Sequence, residues 1–132
     1  MTEPLLPLHT PHADVAYSAR PLSGNAHVKL GWSIPDNGVS PLCAGFVNWD
    51  GDESPFKTLD YDEIILVLEG FFGFEREDGQ RYVGGPGDTL RISKWTRVRY
   101  FGDCAKAFFV ITSPTKLNLA ERKRYADQTS PE

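Results

Sequence analysis

Hydrophobic and polar positions along the chain fall mostly into short runs that alternate with a repeat of two. The stretches at 27–34 (HVKLGWSI), 43–50 (CAGFVNWD), 63–70 (EIILVLEG), 71–77 (FFGFERE), 81–84 (RYVG), 88–94 (DTLRISK), 97–102 (RVRYFG) and 105–113 (AKAFFVITS) each read as a strand. Between them PDNG, DGDESP, EDGQ, GGPGD and FGD supply the turn-forming residues and positive φ angles that tight reversals need. Many short strands with closely spaced turns predict a β-sandwich or barrel.

The two ends differ from this rhythm. Residues 1–25 carry prolines at 4, 7, 11 and 21, which rule out a long regular helix and predict an extended arm. Residues 115–128 (TKLNLAERKRYADQ) are the one stretch with helical character: Leu117, Leu119 and Ala120 can pack while the charged remainder faces water. The expected organisation is therefore an arm over 1–25, a barrel over 26–114, and a short helix with a loose tail over 115–132. No internal repeat, low-complexity tract or interdomain linker interrupts it.

At 132 residues the chain is long enough to close one hydrophobic core without a metal or disulfide staple. Fourteen basic against 18 acidic residues give a net charge of −4, so there is no basic footprint for nucleic acid or an anionic membrane surface. No apolar run approaches the roughly 18 residues that a spanning helix requires. Cys43 and Cys104 lie in separate strand-like stretches without metal-type spacing, and the N-terminus lacks the charged start and apolar run of a signal peptide. These features predict a cytoplasmic protein with reduced thiols.

Alternation divides the acid-rich stretch LDYDEIILVLEG (59–70). Tyr61, Glu63, Ile65 and Val67 fall on one face of the strand, and Asp60, Asp62, Ile64, Leu66 and Leu68 fall on the other. Because both faces are aliphatic, the strand must be covered twice, by the opposite sheet and by a partner or the arm. A homodimer fits that requirement.

EIILVLEG, with Glu63 seven positions before Gly70, and GGPGDTLRISKWTRV (84–98) resemble the two sequence motifs of the cupin superfamily. Taken with AGFVNWD and the closing AFFVITSP, the region from about 44 to 114 resembles the C-terminal cupin domain of the ethanolamine-utilisation protein EutQ. The resemblance implies an all-β, single-domain jelly-roll barrel, the double-stranded β-helix. It also exposes a departure. Metal-binding cupins place two histidines ahead of the glutamate, where this chain has Lys57 and Leu59, or Phe56 and Thr58 in the longer spacing; the second-motif histidine falls at Val98. A transition metal wants three or four imidazole, thiolate or carboxylate ligands converging, and only Glu63 remains of that set. No metal or other cofactor is expected on this basis.

The cupin register implies that Tyr61 and Glu63 point into the barrel. A carboxyl group in apolar surroundings has its charged form disfavoured unless a cation or hydrogen bonds compensate, which is one way to make a general acid or base. It is equally the description of a buried acid retained for fold specificity alone. Tyr61 offers a phenol for a developing oxyanion, and Lys57 an ammonium that can pair with Glu63 or fix an anionic substrate group. The candidate catalytic residues are thus Glu63, Tyr61 and Lys57. Trp49, Phe46, Phe56 and Trp95 are candidate walls of an aromatic pocket; Phe46 and Trp49 have opposite parity, so without a bulge only one of them can face the cavity, and Trp49 is favoured. Val98 and Tyr100 should line the barrel with Arg97 and Arg99 outside, and Arg91 is a further candidate if its strand turns inward. His9 and His12 could join Asp60 or Glu63 only if the arm folds over the barrel mouth.

Three functions remain. The first is a metal-independent lyase or isomerase acting on a small organic substrate through Glu63. The second is an accessory protein of ethanolamine or related catabolism that binds a small metabolite without turning it over. The third, implied by the EutQ resemblance, is acetate kinase activity, but GGPGD lacks the Lys-Ser/Thr of a phosphate-binding loop and is better explained as a cupin turn.

Overall fold

Eight strands account for nearly all regular structure in the computed structural model, which describes residues 6–19, 27–51 and 53–114. They are β1 (Tyr17–Ala19), β2 (His27–Ile34), β3 (Leu42–Gly51), β4 (Lys57–Thr58), β5 (Glu63–Arg76), β6 (Arg81–Gly84), β7 (Thr89–Ile92) and β8 (Arg97–Thr112). Among the described residues a 3-10 turn, His12–Asp14, precedes β1. The helix expected over 115–128 lies outside the described residues. The arm contributes more than an extended cover, because its β1 adds an antiparallel edge strand to β2.

All pairings are antiparallel, in the order β1-β2-β3-β8-β5-β6, with β4 beside β8 and β7 beside β5. The two long strands organise the rest. The first half of β5 runs between β7 and the second half of β8, whereas its second half runs between β6 and the first half of β8. The β5–β8 ladder therefore belongs to two layers that fold toward each other at a common bend.

That bend corrects one expectation, since 63–70 and 71–77 are one strand, as are 97–102 and 105–113. The register shifts between Val67 and Phe71 instead of breaking, with Gly70 at φ +68° and Cys104 opposite at φ +46°. A Cβ at residue 70 would collide with the carbonyl oxygens of Asp103 and Cys104, so glycine is required there by close approach as well as by φ. Each bulge also shifts which residues point inward. On β5 the buried set changes from Glu63, Ile65 and Val67 to Phe72 and Phe74; on β8 it changes from Val98 and Tyr100 to Ala105, Ala107, Phe109 and Ile111.

The core sits between the layers. Trp49 from β3 meets Phe72 of β5 and Tyr100 of β8 at ring distances of 5.7 and 6.0 Å, and Phe72 stacks on Tyr100 at 5.9 Å. Leu59, Ile65, Val67, Ile92 and Val98 are at most 2% exposed, each contributing roughly 1.5–3 kcal/mol by burial. Cys43 and Cys104 are both free thiols. Among the described residues no helix is long and apolar enough to cross a membrane.

Candidate functional site

The short segment from β4 to the start of β5 carries Lys57, Tyr61 and Glu63, and backbone bonds fix both its ends. The Leu59 amide donates to Thr96 O at 3.0 Å and Leu59 O accepts from the Trp95 amide at 2.7 Å. Asp62 exchanges bonds with Thr112, its amide donating to Oγ1 at 3.0 Å and its carbonyl accepting from the Thr112 amide at 3.1 Å. Its carboxylate accepts from the Lys94 amide at 2.8 Å. Asp62 is thus a structural staple, consistent with its outward parity.

Glu63 is 7% exposed. The Tyr100 hydroxyl donates to its Oε1 at 2.6 Å, a length typical of a charge-assisted O–H to carboxylate bond. Tyr100 is held in turn by Ser54, whose hydroxyl accepts from the Tyr100 amide at 2.9 Å and whose amide donates to Tyr100 O at 2.8 Å. Beside this pair the Lys57 ammonium lies 5.4 Å from the centre of the Tyr61 ring, within cation–π range.

These groups open onto a cavity of about 300 Å³, at the small end of the range for ligand pockets. Glu63, Tyr61, Lys57, Trp49 and Tyr100 all line it, so five of the nine residues singled out from the sequence come together. Four do not. Phe46 points to the outer face, where its ring meets His12 at 4.9 Å and Phe108 at 5.2 Å. Phe56 lies under the guanidinium groups of Arg99 and Arg97, at 4.8 and 6.0 Å. Arg91 is exposed beside an outer groove with Ile64 and Val110. Trp95 occupies the turn before β8 with φ +71° and does not border the cavity. His12 is bonded to the Tyr17 hydroxyl at 2.9 Å on the outer face, away from Asp60 and Glu63.

Sequence reasoning missed Trp32, Asp36, Phe72 and Phe109, which also border the cavity. Phe72 falls in the stretch 71–77 that reads as a separate strand, and its inward direction depends on the bulge. Phe109 shares a strand face with Ala105, Ala107 and Ile111, and alternation alone does not say which face of that strand is the inner one. Asp36 sits in the PDNG turn and accepts a hydrogen bond from the Ser113 hydroxyl at 2.7 Å.

The residues at the cupin ligand positions do not fit a metal. Leu59 and Val98 are fully buried hydrocarbons, and Lys57 offers an ammonium, leaving one carboxylate already accepting from Tyr100. Among the described residues the one group with converging ligand atoms is elsewhere: Asp50, Asp103 and Cys104, exposed at the β8 bulge.

Residues 32–118 match the family described as ethanolamine utilisation protein EutQ. The chain belongs to the EutQ family. Two curated EutQ relatives, both named acetate kinase EutQ, agree with this. The protein from Salmonella typhimurium strain LT2 is 33% identical over 81 residues, which is 61% of this chain and 34% of that one. The protein from Escherichia coli K12 is 34% identical over 79 residues, 60% and 33% of the two chains. The chain therefore spans about a third of the length of these EutQ proteins in the matched region. A crystal structure of ethanolamine utilization protein Q from Salmonella typhimurium LT2 superposes with a TM-score of 0.69 at 25% identity, covering 80% of this chain and 85% of that chain. KdgF from Halomonas (TM-score 0.62, 17% identity, 79% and 93% covered) and the nucleoside dehydratase Pac13 (TM-score 0.60, 14% identity, 82% and 83% covered) share the fold. The architecture is that of a cupin barrel, as the EutQ resemblance implied.

Proposed function

We propose that the cavity binds a small organic molecule bearing an anionic group, and that Glu63 moves a proton on it in a lyase or isomerase reaction without a metal. The observation that carries this reading is the Tyr100–Glu63 hydrogen bond at 2.6 Å, placed at the wall of an otherwise largely apolar cavity that can admit a ligand. A carboxylate so placed suits removal of a proton from carbon next to a carbonyl. Charge would then develop on the carbonyl oxygen, where the Tyr61 hydroxyl can donate, while Lys57 holds the ligand's anionic group. In an elimination, the proton taken by Glu63 returns to the departing hydroxyl, which leaves as water. In an isomerisation it returns to a neighbouring carbon.

Pac13, a nucleoside dehydratase on the same fold, is compatible with chemistry of this type, though the likeness to it is one of architecture. The acetate kinase activity of the longer EutQ relatives would require phosphate contacts that a single lysine among aromatic walls does not supply. The second reading, a cavity that holds a metabolite without converting it, is favoured by the hydrocarbon side chains of Leu59 and Val98 where cupin metal ligands would stand.

The test is a panel of small hydroxy, keto and unsaturated acids, screened by thermal shift and then by NMR for conversion. Enzyme action predicts at least one compound that both raises the melting temperature and is consumed, with Glu63→Gln retaining the shift and losing the consumption. Binding without consumption by the wild type would select the second reading.

A further inference from the structure

Asp36 borders the cavity but has no part in the proton transfer, and its position is fixed from two sides. It stands in the turn between β2 and β3, where its Oδ1 accepts from the Gly38 amide at 3.1 Å and from the Ser113 hydroxyl at 2.7 Å. Ser113 is fully buried, and its amide donates to Pro41 O at 2.9 Å, so the same residue ties the end of β8 to that turn. Asn37 Oδ1 braces the turn further by accepting from the amides of Val39 and Ser40, both at 2.9 Å. The result is a solvent-exposed carboxylate on a braced turn, sharing the cavity lining with Trp32 and Phe109, whose rings meet edge to face at 5.2 Å.

A carboxylate accepts hydrogen bonds and donates none. A ligand entering the cavity takes water from Asp36, and one that offers no donor there leaves the charge poorly solvated. A hydroxyl or an ammonium would satisfy it, and Glu63 decides between them. Glu63 is the more buried carboxylate, in surroundings where opposite charges attract more strongly than at an exposed position, so an ammonium would be drawn to it and occupy the base that the reaction needs. A hydroxyl satisfies Asp36 without that competition. We propose that Asp36 sets the specificity of the cavity by accepting a hydrogen bond from a hydroxyl group of the ligand, which makes the substrate class a keto acid with a hydroxylated ring. The acid group lies at Lys57, the carbonyl and its neighbouring carbon at Tyr61 and Glu63, the hydroxyl at Asp36, and the flat ring against the aromatic walls, for which it is the best-matched shape. This assignment rests on the function proposed for the cavity and adds to it the group that tells one keto acid from another.

Titration calorimetry on the full chain with phenylpyruvate and its 3-hydroxy, 4-hydroxy and 4-aminomethyl derivatives tests the assignment, because the four compounds differ only on the ring. At least one hydroxy derivative should bind about ten- to hundredfold more tightly than phenylpyruvate, and the aminomethyl derivative should not exceed it. Asp36→Asn keeps an oxygen for Ser113 and Gly38 while removing the charge, and should bring the hydroxy derivative to within about threefold of phenylpyruvate. Lys57→Met should weaken both compounds and leave their ratio unchanged, and general damage to the site would likewise leave the ratio in place. Equal affinity of phenylpyruvate and both hydroxy derivatives for the wild type, or a preference that survives Asp36→Asn, would overturn the role of Asp36 and leave the cavity reading standing. Tightest binding by the aminomethyl derivative would overturn the hydroxyl assignment in favour of an ammonium. Failure of all four compounds to bind would overturn the cavity reading and this proposal with it.

Discussion

The Tyr100 hydroxyl reaches Glu63 Oε1 at 2.6 Å across 37 positions of sequence, joining the start of β5 to the opposite layer. Removing that donor in Tyr100→Phe leaves a buried carboxyl short of a partner. The expected cost is about 1–3 kcal/mol in urea denaturation, with turnover of any substrate reduced at least tenfold. An unchanged denaturation midpoint would show that the bond does not support the fold.

Lys57 is the cation of the cavity wall, and Lys57→Met keeps most of its hydrocarbon while removing the charge. A charged hydrogen bond of this kind contributes roughly 1.5–3 kcal/mol, so affinity for an anionic ligand should fall about ten- to hundredfold. Titration calorimetry with the best compound from the acid panel reads this directly. Equal affinity in the variant would remove Lys57 from the site.

Why these five residues were legible in the sequence, and others were not, follows from what alternation can report. Within one unbroken strand parity reports which residues share a face, so it groups Tyr61 with Glu63 and separates Trp49 from Phe46; the cupin register is what turns Tyr61 and Glu63 inward. A bulge resets the parity. Gly70 reads as the end of a strand in sequence because glycine's access to positive φ serves strand ends and bulges alike, so one bent strand reads as two. Phe56, Arg91 and Trp95 were grouped with the site by chemistry, yet the pairing of β4 and β7 turns the first two outward and the turn before β8 keeps the third off the cavity. Asp36 and Trp32 reach the rim only because the sheet folds over on itself, a long-range event with no local signature. The EutQ resemblance supplied the barrel but left the interior chemistry open, since its ligand positions are those this chain has replaced.

Gly70 tests the bend itself. Gly70→Ala places a methyl group against the carbonyl oxygens of Asp103 and Cys104 at φ +68°, where β-carbon strain and steric overlap add. A loss of about 2–4 kcal/mol is expected by chemical denaturation. Gly79→Ala, also at positive φ but with nothing within 4 Å of the added carbon, should cost roughly 1 kcal/mol. Equal costs at the two positions would mean that φ alone, and not close approach, fixes Gly70.

Cys104 should be a slow thiol despite its exposure. The carboxylates of Asp50 and Asp103 repel negative charge on the sulfur and raise its pKa, so the thiolate fraction at a given pH is lower than for an ordinary cysteine and alkylation is slower. Mass-spectrometric rates of iodoacetamide labelling across pH 7 to 9.5 should show a midpoint displaced upward, and Asp50→Asn should move it down. Insensitivity to Asp50→Asn would deny the electrostatic cause.

The central claim is that Glu63 transfers a proton to and from carbon, and solvent isotope exchange reads that step without needing net conversion. The panel of small carbonyl acids is incubated with protein in D2O and followed by proton NMR. Wild-type protein should wash deuterium into the position next to the carbonyl of a bound compound, while Glu63→Gln should bind that compound with similar affinity and leave its protons in place. Exchange at the same rate in Glu63→Gln would contradict the account.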